Sequence, residues 1–300
     1  MLKKMILAMA LFSGFQSTLQ ASATADIIMG FDCSGSSCSG LFGKDYGKSL
    51  HWPEEAFTRP RRGKDVISPM QWALKLFMGK APLIDLDGDI DWYGIGSPEC
   101  FQNDQVFSMD QLSEGDTFEA AYQAGINKIR QSGQFGSDFN PIPFMKLVLQ
   151  KISKSQVSEQ TLGVIFSSGD MERSRKEEFV DLLSRSSKLF PVKWVFLVVG
   201  EKKEHRYIES LVSQAKKKSD FPNAKVIYLK NYFDFDGIFT ASKFDCTDSM
   251  KESKQMKLYN EIAGFLRQDA DIMSESIKTL RLKKDIDEGN FLNAEFREYE

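Results

Sequence analysis

Past residue 25 the chain alternates short apolar runs with longer stretches of helical spacing. Asp26–Asp32 (DIIMGFD) has the length and apolarity of a buried strand. It runs into a small-residue loop, residues 33–40 (CSGSSCSG), that no regular element tolerates well. Residues 43–63 are polar and carry Gly, Pro and Arg, which reads as a long surface loop. Residues 66–78 show helical spacing, with Trp72, Leu74, Phe77 and Met78 as core candidates. Two apolar runs come after it, 90–95 (IDWYGI) and 105–109 (QVFSM), too close together for a crossover helix, so they predict a hairpin. A helix over 117–130, a loop over 133–140 and a helix over 141–152 come next, the last opened by Pro141, which suits a first helical turn.

The second half is more regular. Strands are predicted over 162–166 (LGVIF), 193–199 (KWVFLVV) and 224–229 (AKVIYL), and helices over 175–189, 204–218 and 251–267. Strands alternating with helices of this length predict an α/β fold with a mostly parallel, six-stranded sheet and helices on both faces. There is no internal repeat. Residues 269–300 are rich in both charge signs and read as a peripheral helical extension or tail.

The first 25 residues have the parts of a secretory signal peptide: Lys3 and Lys4, the apolar run 5–12 (MILAMALF), and A-x-A sites at 21–23 and 23–25. That run is too short to span a bilayer, and no later stretch approaches the roughly 20 apolar residues a membrane helix needs. The expectation is an exported protein of bacterial type, periplasmic or secreted, with one domain over 26–268 and no membrane span after processing. The cysteines suit that compartment. Four of them, Cys33, Cys38, Cys100 and Cys246, favour disulfides, with all three pairings open. Their spacing is too irregular for a zinc ribbon.

Charge and composition remove other classes. Lys and Arg number 39 against 42 Asp and Glu, a net charge of −3 that gives no support to a nucleic-acid binder. Two histidines, His51 and His205, leave little material for a His-based zinc enzyme or a Ser-His-Asp triad. No nucleophile stands beside a plausible base, so the chain is not read as an enzyme.

Function in such a sheet gathers in the loops at the carboxyl ends of the strands. Three of those loops share oxygen chemistry: Asp32-x-Ser34-x-Ser36, Gly136-Ser137-Asp138 and Ser167-Ser168-Gly169-Asp170. A carboxylate with several hydroxyls suits a hard divalent cation, and Mg²⁺ usually keeps several waters beside one or two carboxylates. The segment Asp85-x-Asp87-Gly88-Asp89-x-Asp91 resembles a calcium loop but lacks Gly and Glu at the sixth and twelfth positions, so it reads as an acidic turn before a strand. Arg59-Pro60-Arg61-Arg62 and Lys216-Lys217-Lys218 read as solvated basic segments, and residues 232–239 (YFDFDGIF) as aromatics buried below the last strand.

Asp32-Cys33-Ser34-Gly35-Ser36 resembles the D-x-S-x-S signature of von Willebrand factor type A domains. The resemblance covers about residues 26–268 and extends to the order of predicted elements. It implies a doubly wound sheet with one antiparallel edge strand and a metal-ion-dependent adhesion site. That site would bind Mg²⁺ or Mn²⁺, with an acidic group of a partner protein completing the coordination. By resemblance the metal ligands are Asp32, Ser34, Ser36 and Ser137, the last where the family usually has Thr, with Asp138 also family-like. The third loop departs from the family pattern: Ser168 occupies the usual Asp position, and Asp170 comes two residues later as a candidate ligand. The implied function is an adhesion-type protein-binding module. The alternative is a structural subunit of an envelope or secretion assembly with a degenerate metal site.

Overall fold

The computed structural model describes residues 24–32, 69–87, 89–95, 100–108, 139–154, 160–167, 171, 173–198, 206–219, 223–232 and 248–268. Their elements run β1 (Asp26–Asp32), α1 (Pro69–Met78), β2 (Asp89–Ile95), β3 (Cys100–Ser108) and α2 (Ile142–Lys154). They continue with β4 (Thr161–Ser167), α3 (Lys176–Leu189), β5 (Val192–Val198), α4 (Arg206–Lys218), β6 (Ala224–Tyr228) and α5 (Asp248–Arg267).

The six described strands form one sheet in the order β3-β2-β1-β4-β5-β6. Neighbours pair in parallel except β2 with β3, which is antiparallel. The expected hairpin and edge strand are both present. β3 begins at Cys100, earlier than the apolar run at 105–109 indicates. Its first residues, Cys100 to Asp104, are mostly polar, and Cys100, Phe101 and Gln102 pair with Ile95, Gly94 and Tyr93 of β2. The helices predicted over 66–78 and 251–267 start at Pro69 and Asp248. The helix predicted over 117–130 lies outside the described residues.

Period-two alternation sorts the strand side chains onto two faces. Ile27, Met29 and Phe31 of β1, Leu162, Val164 and Phe166 of β4, and Val195 and Leu197 of β5 join α1 and α5 in one buried cluster. Ile28 of β1, Ile165 of β4, and Val192, Trp194, Phe196 and Val198 of β5 join α2, α3 and α4 in the other. The strands at the centre are buried on both faces, which is why they read as continuous apolar runs. Gly30 is needed where β1 meets α2: a Cβ there would stand 2.5 Å from Ile95 Cδ1 and 3.1 Å from Phe144.

The direction of the chain puts helices on opposite faces. From β1 it crosses by way of α1 to β2 on one side, and after β3 it returns through α2 to β4 on the other side of β1. Crossovers of one hand in opposite directions place their helices on opposite faces. The sheet is thus doubly wound, with its switch point between β1 and β4.

Two buried polar residues tie the amino end of the sheet together. Asp85 Oδ2 accepts a hydrogen bond from the Ile27 backbone N–H at 2.8 Å. Lys193, 0% exposed, donates from Nζ to the carbonyl oxygens of Phe265 (2.6 Å) and Gln268 at the end of α5. An ammonium at a helix C-terminus meets the negative end of the dipole and carbonyls that lack intrahelical donors.

Candidate functional site

Outside the carboxyl ends of a doubly wound sheet, the strands that flank the switch point diverge to their loops and leave a crevice. Here those strands are β1 and β4, and their last residues are Asp32 and Ser167. The ladder pairs Phe31 with Phe166, which puts Asp32 and Ser167 one step further on, side by side at the rim. Both share the strand parity of Ile28 and Ile165, so both belong to the face covered by α2 and α3. Each is 0% exposed. Beneath them, on the opposite face, Phe31 and Phe166 stack at 5.0 Å between centroids, and Phe77 of α1 meets Phe166 edge-on at 6.0 Å. This aromatic layer fixes the ends of the two strands against each other.

A third strand end adjoins them. Ile95 of β2 pairs with Asp32 on one side and with Cys100 of β3 on the other. From above, α2 enters the same rim. Asn140 Oδ1 accepts from the Ile142 N–H at 3.1 Å, an Asx turn, and the Pro141 carbonyl accepts the first helical bond from Met145 N at 2.9 Å. Phe139 and Asn140 are buried, so the chain segment just after Ser137 and Asp138 is anchored in the domain.

Of the sequence-predicted ligands, Asp32 is described, at the end of β1. Ser34, Ser36, Ser137 and Asp170 lie outside the described residues, as do Asp138, Ser168, Cys33, Cys38 and Cys246. Ser167 is brought beside Asp32 by the β1–β4 ladder; the sequence marks it as part of the third loop without assigning it a role. The acidic segment at 85–91 divides its charges. Asp85 is committed to Ile27, and Asp91 pairs with Lys151 of α2. Burial would lower the Lys151 pKa, but the hydrogen-bonded Asp91 and the neighbouring Tyr93 raise it above its ordinary value. Among the described residues, no group of three His, Cys, Asp or Glu is placed to hold a metal ion.

The donor chemistry at the rim nonetheless suits a hard cation. A carboxylate with no solvent exposure stays charged only where donors or a cation replace water. Asp32 offers one charged oxygen ligand and Ser167 one neutral ligand on adjacent strands. Both are oxygen donors, the type that hard cations take, rather than the nitrogen and sulfur donors of a zinc site.

The strand order, the antiparallel edge and the element sequence are those implied by the signature at Asp32. In fold, the chain is similar to von Willebrand factor type A domains. No protein-family model matches the chain, and no curated protein matches it by sequence. Solved structures do. The SpRpn10 VWA domain aligns over 68% of this chain and 87% of its own, at 8% identity and a TM-score of 0.44. BatB from Bacteroides thetaiotaomicron, a conserved hypothetical protein, aligns over 80% and 99%, at 10% identity and 0.43. The pilus adhesin SpaC from Lactobacillus rhamnosus GG, in an open conformation, aligns over 80% of this chain and 30% of its own, at 8% identity and 0.39. At these identities and scores the likeness says nothing about function, and the fold stands on the sheet order itself. No helix among the described residues is long and apolar enough to cross a membrane.

Proposed function

We propose that this chain is an exported protein-binding module that engages a partner at the carboxyl rim of its sheet, through a divalent cation held at Asp32. One observation carries this reading: Asp32 and Ser167 lie side by side, fully buried, at the strand ends that flank the switch point. The crevice outside the strand ends at a switch point is where doubly wound sheets take ligands, and this polar pair stands at it. Asp32 would supply the charged ligand. The hydroxyls of Ser34, Ser36, Ser167 and Ser137 would supply neutral ones, with Asp170 as a second acid. The cation, Mg²⁺ or Mn²⁺, would contribute the positive charge that attracts an acidic side chain of the partner. The leader at 1–25 supports export, and the absence of a nucleophile–base pair in the sequence argues for binding rather than catalysis.

Thermal melting with and without metal tests this. A ligand that binds only the folded state stabilises it by roughly 2.7 kcal/mol at about a hundred times its dissociation constant. Wild type melts higher in Mg²⁺ or Mn²⁺, and Asp32→Ala loses the shift. If metal leaves wild-type melting unchanged and calorimetry detects no binding at millimolar metal, the alternative stands: a scaffold subunit of an envelope or secretion assembly with a degenerate site. Ser168, at the position where the resemblance implies Asp, favours that second reading.

A further inference from the structure

The end of α4 and the start of β6 meet at one corner of the sheet, and a single hydrogen bond sets their register. Tyr228 of β6 donates to Glu209 of α4 at 3.2 Å. α4 runs antiparallel to β6, because it returns the chain to the amino end of the sheet, where Ala224 opens β6 beside Trp194 of β5. At i+7 from Glu209, two turns and roughly 10 Å further along, Lys216 comes back to the same helix face. At i−3 from Tyr228, about 10 Å back along the strand, stands Lys225. The two lysines therefore reach one level of β6. Lys216 comes from the α4 side, and Lys225 from the α5 side, where it pairs with Glu261 at 3.1 Å. Lys217 and Lys218 complete the last turn of α4, and all three helix lysines are exposed.

The helix dipole gives Lys216, Lys217 and Lys218 a reason to close α4. It gives none for Lys225, a strand residue brought against them. Burial leads in lowering the Lys216 pKa, and repulsion by Lys225 follows. Among the described residues, no carboxylate pairs with Lys216, Lys217 or Lys218. The chain as a whole carries a net charge of −3, so this corner is a local reversal of sign. Such a reversal concentrates a ligand of opposite charge there rather than over the rest of the surface. β6 ends the order of the described strands, with these cations on both sides of it.

We propose that Lys216, Lys217, Lys218 and Lys225 form a docking corner for an acidic segment of a partner protein, a run of Asp or Glu lying along β6. The corner is at the amino end of the sheet, opposite the Asp32 rim. The inference therefore holds whether or not the rim binds metal.

Titration of a fluorescent deca-glutamate peptide with the full-length chain tests it. Wild type binds the peptide, and added salt weakens the binding. Lys216→Gln/Lys217→Gln/Lys218→Gln lowers the affinity roughly tenfold. Its circular dichroism matches wild type, because glutamine serves a helix as well as lysine does. Lys225→Gln, which leaves α4 untouched, lowers the affinity by a smaller factor. Lys154, Arg173 and Lys176 are exposed elsewhere. Lys154→Gln/Arg173→Gln/Lys176→Gln removes the same charge and stays within about twofold of wild type. Equal losses in the two triple variants overturn the proposal, since net charge alone would then explain the binding. So does a wild type that ignores the peptide, including one that instead binds phosphatidylglycerol vesicles through these lysines, which would assign the corner to a membrane.

Discussion

The two ends of the sheet handle polar groups in different ways. At the carboxyl rim, polar side chains on the strands themselves are buried: Asp32 and Ser167 stand where a core would take apolar residues. At the amino end, Asp85 and Lys193 are buried as well, and each is bonded to backbone. Asp85 holds the entry of β1, and Lys193 holds the exit of α5. A buried charge that satisfies backbone contributes to folding. Asp32 and Ser167 differ in place: they stand at the switch point, outside which doubly wound sheets take ligands. Burial alone therefore does not mark a site; its place in the topology does.

The largest expected effect sharpens that contrast. Lys193→Met strands the Phe265 and Gln268 carbonyls at the end of α5 and costs about 3 kcal/mol in urea unfolding. Any metal response at the rim survives. Next, Asp32→Ala removes the metal-dependent stabilisation of roughly 2.7 kcal/mol while leaving hydrogen exchange at the amino end untouched. Ser167→Ala removes one neutral ligand and shortens the metal-induced rise in melting temperature by less than Asp32→Ala does. A metal shift as large in Asp32→Ala as in wild type would erase the distinction between the two ends.

The smallest effect is read at alkaline pH along the β6 edge. Tyr228 donates to Glu209 of α4 at 3.2 Å, and Tyr232 donates to Glu261 of α5, which also pairs with Lys225 at 3.1 Å. These two hydroxyls clip the edge strand to helices on opposite faces. Burial, with the neighbouring carboxylate second, raises the pKa of Tyr228; for Tyr232 burial again leads, then the hydrogen bond and charge of Glu261. Because the folded values lie above the unfolded one, the stability they contribute is fully present below about pH 10 and is lost as pH rises from there. The urea midpoint falls between pH 9 and pH 11, and falls less in Tyr228→Phe/Tyr232→Phe. An equal fall in wild type and variant would show that these tyrosines do not carry the alkaline sensitivity.

Much of this architecture is legible in the residues, and the exceptions have a common cause. β1, β4 and β5 are apolar on both faces, so their composition announces them. The first half of β3 (CFQND) has no such signal, because an edge strand draws its order from one ladder. Asp32 is legible because its signature is local. Lys193 is not: inside KWVFLVV it reads as the start of a strand, and its partner Phe265 lies 72 residues away. Asp85 reads as an acid in a turn for the same reason, its partner Ile27 being 58 residues distant. Composition and spacing report what neighbours in sequence do together. They are silent on a polar group whose role is set by a segment the fold brings to it later.

The placement of β1 also sets a schedule. The central strand is the first to be made, yet it pairs with β2 some sixty residues later, and with β4 only once residues 161–166 exist. At cellular synthesis rates that interval is on the order of ten seconds. Until β4 is made, an apolar strand waits with one edge open, and open apolar edges invite pairing with other chains. The yield of folded chain then depends on what shelters that edge of β1 until β4 arrives.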